Sequence, residues 1–169
     1  VLGNHEDKHL RQMHRPRGAL LPDHRRTLEA LGEEHLAYLE TLPTSISLPE
    51  HGAAVVHAGG YPSVPVEAQD RYHLLHIQCI EPPRPKSHWP SKAPATATFW
   101  ARLWRGPERL VFGHTVLARP FVSGHAIGID TGCVPGGPLT AVELPSGRIV
   151  SVPSRTKKSD RRDEPPRFE

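Results

Sequence analysis

Ala53-Ala54-Val55-Val56-His57-Ala58-Gly59 is the stretch that decides the fold. Four apolar residues follow the turn-forming run Pro49-Glu50-His51-Gly52 and stop before Gly59-Gly60, so they read as a buried strand. The strand ends on a histidine with glycine close behind, which lets the backbone turn sharply beside the imidazole. The same arrangement occurs twice more, in Val1-Leu2-Gly3-Asn4-His5 and in Val111-Phe112-Gly113-His114-Thr115. Open sheets gather their sites at strand ends. Three such ends aim Asn4, His57 and His114 at one point. An amide oxygen and two imidazoles suit a borderline divalent metal such as Mn, Fe or Zn. Taken singly, each residue is an ordinary turn or rim residue. The ordered set of three, with the tetrapeptide Gly3-Asn4-His5-Glu6, carries the metal reading.

Outward from these ends, strands alternate with short helices. Residues 5–14 are predicted as a polar helix stopped at Pro16. A second helix starts at Pro22-Asp23, with Asp23 as its cap. A third follows Gly32 and carries Leu36 and Leu39 on one stripe. Ser45–Leu48 is expected to form a hairpin with the Ala53–Val56 strand. Residues 67–81 begin as a helix, and 82–94, with five prolines, read as a loop. Thr98–Trp104 is an aromatic helix candidate, with Trp100 and Trp104 as a core stripe. Strands are expected at Leu110–Phe112, Pro120–Ser123, Ala126–Asp130, Leu139–Leu144 and Ile149–Val152. Helices mixed with hairpins and buried strands give an α/β or α+β sheet protein.

Composition narrows the function classes. The chain has 169 residues and a formal charge of +3, from 21 Lys+Arg against 18 Asp+Glu. That excess is too small to indicate a nucleic-acid polymer as partner. No uncharged apolar run approaches the roughly 20 residues that span a bilayer, so no membrane partner is expected. The 14 Gly and 19 Pro are about a fifth of the chain, below the roughly 25–30% of low-complexity sequences. Two cysteines, Cys79 and Cys133, exclude a disulfide framework. They read as free thiols of a reducing, cytoplasmic setting. Twelve histidines are the feature out of line. His9, His14, His24 and His35 read as solvated, His73 and His76 as rim residues, and Trp89 as a surface anchor or a cover for a cleft.

Gly3-Asn4-His5-Glu6, the strand ending His57-Ala58-Gly59, and Gly113-His114-Thr115, in that order, resemble the calcineurin-like metallophosphoesterases. Gly128-Ile129-Asp130-Thr131-Gly132-Cys133 and Gly136-Gly137-Pro138-Leu139-Thr140-Ala141 are similar to the branch of symmetrical diadenosine tetraphosphatases and bacterial protein phosphatases. The resemblance covers about residues 1–152. It implies the C-terminal portion of a four-layer α/β/β/α sandwich whose N-terminal part is missing. Residues 153–169 are then a charged, proline-containing disordered tail. It implies metal-dependent hydrolysis of a phosphoester or phosphoanhydride by a metal-bound hydroxide, with two divalent ions in the parent protein. Asn4, His57 and His114 would bind one ion, and His5 would be the general acid. Asp130 is a candidate to orient a ligand imidazole, and Arg71 a candidate to grip phosphate. The substrate is left open between a nucleoside polyphosphate, or other phosphorylated small molecule, and a phosphoprotein. Pro135 stands where similar proteins carry an aromatic residue. The family's Asp-x-His pair and Gly-Asp-x-x-Asp-Arg-Gly segment are expected upstream. Their absence leaves a rival reading, a catalytically incomplete remnant or binding module. A hydrolase working with one metal on three neutral ligands is disfavoured.

Overall fold

The computed structural model describes residues 1–14, 18–155 and 168. The chain opens on helix α1 (Asn4–His14), followed by α2 (Pro22–Ala30) and α3 (Glu33–Thr41). Strands β1 (Ser45–Leu48) and β2 (Ala53–Val56) form the expected hairpin, in register from Ser45 opposite Val56 to Leu48 opposite Ala53. Gly52 closes the turn between them in the left-handed region, at φ 56°.

Helix α4 (Arg71–His76) leads into β3 (Cys79–Glu81), β4 (Arg84–His88), β5 (Thr98–Phe99) and the single turn α5 (Trp100–Leu103). The remaining strands are β6 (Arg109–Phe112), β7 (Phe121–Val122), β8 (Ala126–Gly128), β9 (Leu139–Glu143) and β10 (Arg148–Val152). The principal sheet has the order β1-β2-β6-β8-β7. Its centre is parallel, β2 beside β6 and β6 beside β8, and antiparallel strands flank it. β4-β3-β5 and β10-β9 form two smaller antiparallel sheets. This is a mixed α/β fold.

Parallel central strands must be covered on both faces, and the apolar residues follow that rule. Ala54, Val56, Leu110, Phe112 and Ala126 pack with Ile77, Ile80, Phe99, Trp100 and Trp104 in one core. Burying each large side chain contributes roughly 1.5–3 kcal/mol. Trp100 and Trp104 are both fully buried, as their spacing predicts. Gly59 is required beneath them, since a Cβ there would run into the Trp100 indole.

Several local expectations change. Asp23 does not cap α2: Leu21 is the N-cap, and Pro22 opens the first turn, where its fixed φ suits the helix. Asp23 lies within that turn, favourably placed toward the helix dipole. The proline-rich 82–94 stretch is not all loop, because β4 pairs with β3. Pro85 is tolerated there because β4 is an edge strand. Thr98 and Phe99 belong to a strand, and α5 keeps only four residues of the expected aromatic helix. His9 is buried, not solvated. The expected disordered tail lies, from residue 156 on, outside the described residues, except for Phe168, which stacks on Phe99 with centroids 3.9 Å apart.

Candidate metal centre

The parallel strands deliver their C-terminal ends to one edge of the principal sheet. His57 directly follows β2, His114 stands two residues beyond β6, and Asp130 two residues beyond β8. Backbone bonds lock the three ends together: the Gly113 amide donates to the His57 carbonyl at 2.8 Å, and the Ile129 amide to the Phe112 carbonyl at 3.0 Å. Asn4 enters from another direction, at the start of α1, whose turn is tied to the α3–β1 connection by the Leu2 amide and the Pro43 carbonyl. Gly3 is needed at that entry. A Cβ on it would strike the Glu6 carboxylate and lie 3.3 Å from the His57 ring.

The three donor atoms meet. His57 Nε2 lies 2.8 Å from Asn4 Oδ1 and 3.2 Å from His114 Nδ1. Ligands about 2.1 Å from one ion at right angles to each other stand about 3 Å apart, so these separations fit donors around a divalent cation. Protonation also fits. Burial pushes the His57 pKa down against the partial support of Glu6 and Asp130. Burial, with His57 close by, pushes His114 down to about 3. Both rings are neutral near pH 7 and offer lone pairs, as metal ligands must. Among the described residues no three His, Cys, Asp or Glu side chains gather to hold an ion. The centre depends on an amide for its third donor.

His114 is held in place at a cost. Its φ of 66° is left-handed, a region histidine visits more readily than most residues. Such strain persists where the surroundings over-determine it, and it clusters at functional sites. The His76 carbonyl accepts a hydrogen bond from the His114 ring, and the two rings meet edge to face at 6.1 Å. A second bond of this kind fixes which ring nitrogen keeps its lone pair. The spacing of His73 and His76 conceals this role: His73 is buried and bonds the Pro85 carbonyl, while His76, three residues on, faces the centre.

The other expected residues fall as follows. His5 is exposed, its ring tilted against His24 at 4.9 Å, and its charge reaches His57, His76 and His114. Asp130 accepts the Gly132 amide through Oδ1 at 3.0 Å and acts electrostatically on His57. It therefore caps its own turn while supporting the imidazole. Arg71 is half in solvent and binds Asp7 Oδ1 through Nε at 3.0 Å and Nη2 at 2.8 Å. Asp7, almost fully buried, also pairs with Arg11 at 2.8 Å. Sequence reasoning overlooked Asp7; its i, i+4 spacing to Arg11 was the available signal. The Asp-x-His spacing, expected only upstream, does occur at Asp7-Lys8-His9. Two positions apart on a helix, those side chains point away from each other, and Asp7 is taken by its arginines.

No protein-family model matches the chain. A bis(5'-nucleosyl)-tetraphosphatase PrpE [asymmetrical] of Geobacillus thermodenitrificans is 49% identical over 55 residues, 32% of this chain and 22% of that protein. Proteins of the same name from Halalkalibacterium halodurans and Oceanobacillus iheyensis are 46% and 48% identical over 56 residues, 33% of this chain and 23% and 22% of theirs. The matched stretch is thus about a fifth of the length of these curated relatives. A crystal structure provisionally named a diadenosine tetraphosphatase superposes with a TM-score of 0.79 at 31% identity. That match covers 93% of this chain and 68% of the other.

Proposed function

Because the chain belongs to the calcineurin-like metallophosphoesterases, we propose that it forms the Asn4–His57–His114 half of a metal-dependent phosphohydrolase acting on nucleoside polyphosphates. The observation that carries this is the meeting of Asn4 Oδ1, His57 Nε2 and His114 Nδ1 from two strand ends and the start of a helix. The relatives' names add the substrate class.

In this reading Asn4, His57 and His114 hold one divalent ion, and the remaining ligands of a two-metal site come from elsewhere in a longer protein. The fold completed there is the four-layer sandwich. A bound ion supplies Lewis acidity and charge neutralisation at the phosphoryl oxygens. The chain's own residues do the rest. Burial keeps His57 and His114 neutral and aimed. The His76 carbonyl and Asp130 hold those two imidazoles in position. His5, one residue beyond Asn4 and open to solvent, gives a proton from its ring to the leaving phosphate oxygen. Arg71, anchored on Asp7, offers the exposed part of its guanidinium to a phosphate.

The test is hydrolysis of diadenosine tetraphosphate by the protein carrying this chain, with products separated by chromatography. Chelation should abolish turnover and a divalent salt restore it. ATP plus AMP marks an asymmetrical cut and two ADP a symmetrical one. Turnover that survives exhaustive chelation would overturn the proposal.

A further inference from the structure

We propose that Trp89 is the platform on which a nucleobase of the substrate stacks while its phosphates occupy the Asn4–His57–His114 centre; this rests on the nucleoside polyphosphate reading above. The three tryptophans are placed in two very different ways. Trp100 and Trp104 are fully buried in the core, whereas Trp89 leaves 61% of its surface in solvent. An indole exposed to that degree does little for the core, so its position needs another reason.

That position is beside the metal centre. The Trp89 ring lies 6.1 Å from the His114 ring. His114 also meets His76 at 6.1 Å, and His76 stacks with the exposed Tyr72 at 5.1 Å. Tyr72, His76, His114 and Trp89 line a small pocket of about 70 Å³ together with Gln78, Ser87 and His88, and of these Tyr72 and Trp89 are the exposed rings. The pocket is too small to swallow a purine, so a base lies across the aromatic rim. A nucleotide's base and first phosphate are separated by one ribose. A flat aromatic surface next to an imidazole of the centre that takes the phosphates is therefore where the base falls.

The platform is also rigid and suitably charged. Trp89 directly follows β4, which is paired to β3, and precedes Pro90, which narrows its backbone freedom. The Lys92 amide closes the next turn on the Trp89 carbonyl at 2.9 Å. Arg84, Lys86 and Lys92 lie exposed on the same segment, where positive charge favours a polyphosphate chain. Stacking tolerates any base because each has a π-face, so the preference expected is for nucleotides over bare phosphates, without choice among bases.

The experiment compares wild type, Trp89→Ala and Trp89→Phe in the protein carrying this chain, on diadenosine tetraphosphate and on inorganic tripolyphosphate. Trp89→Ala should raise KM for the dinucleotide about tenfold. It should leave kcat within about twofold and tripolyphosphate hydrolysis unchanged, and Trp89→Phe should recover most of the loss. Independently of turnover, diadenosine tetraphosphate should quench the exposed indole's fluorescence, and the quenching should vanish in Trp89→Phe. An unchanged KM in Trp89→Ala, a parallel loss on tripolyphosphate, or quenching that persists in Trp89→Phe overturns the proposal. If wild type hydrolyses neither compound, the phosphohydrolase reading fails, and quenching alone decides the fate of the platform.

Discussion

At the residue scale, the centre divides labour between neighbours. Asn4 Oδ1 meets His57 Nε2, whereas His5, the next residue, keeps its ring exposed beside His24, and the proposal gives the first an ion to hold and the second a proton to move. His5→Ala should therefore lower turnover by about 10²–10⁴, the usual contribution of a general acid, while leaving metal content intact. His57→Ala should lose both. Metal analysis beside steady-state rates separates the two, and loss of metal in His5→Ala would refute the division. The cysteines differ for a related reason. Burial pushes the Cys79 thiol up to about 11, and Cys133 is only partly covered. A thiolate-selective reagent at pH 8 should label Cys133 and spare Cys79 in the folded chain. Equal labelling would contradict the burial of Cys79.

At the scale of elements, the strands of the principal sheet and the first three helices were legible from the sequence, and the segment from 82 to 104 was not. β2, β6 and β8 are short apolar runs bounded by Gly and Pro, and little else can be done with such runs. The 82–94 stretch misled because its prolines suit an edge strand as well as a loop, and only the partner strand decides between them. α1 was expected, but its buried face was hidden. Asp7 and His9 are polar by composition and buried by position, because Asp7 clips α1 to α4 through Arg71. Asp7→Ala removes the acceptor shared by two arginines and should cost about 2 kcal/mol, read as a lower midpoint in urea unfolding. An unchanged midpoint would show that the clip contributes nothing. His76 was read only as a rim residue because its main chain, not its ring spacing, acts on His114.

At the scale of the whole molecule, charge and burial set the response to pH. Burial lowers the pKa of His9, His57, His76 and His114 below the ordinary 6.5. The unfolded chain takes up protons below that pH that the folded chain refuses. The stability tied to these groups is therefore complete above about pH 6.5 and falls as pH drops toward the folded values, about 3 for His114. The slope approaches about 1.4 kcal/mol per pH unit for each histidine involved. Chelator-treated protein should show its urea midpoint flat from pH 7 to 8 and falling steadily below 6.5. A midpoint that rises on acidification would reverse the sign of the burial argument. Gly59→Val presses a side chain into Trp100, one of the two fully buried tryptophans of the core, and should cost at least about 1–3 kcal/mol.

The most direct measurement is calorimetric titration of the chelator-treated chain with Mn²⁺ at pH 7.5, in wild type and His114→Ala. If Asn4, His57 and His114 form one half of a metal centre, wild type binds an ion saturably and His114→Ala loses that binding while keeping its fold by circular dichroism. Identical isotherms in the two proteins would contradict the assignment.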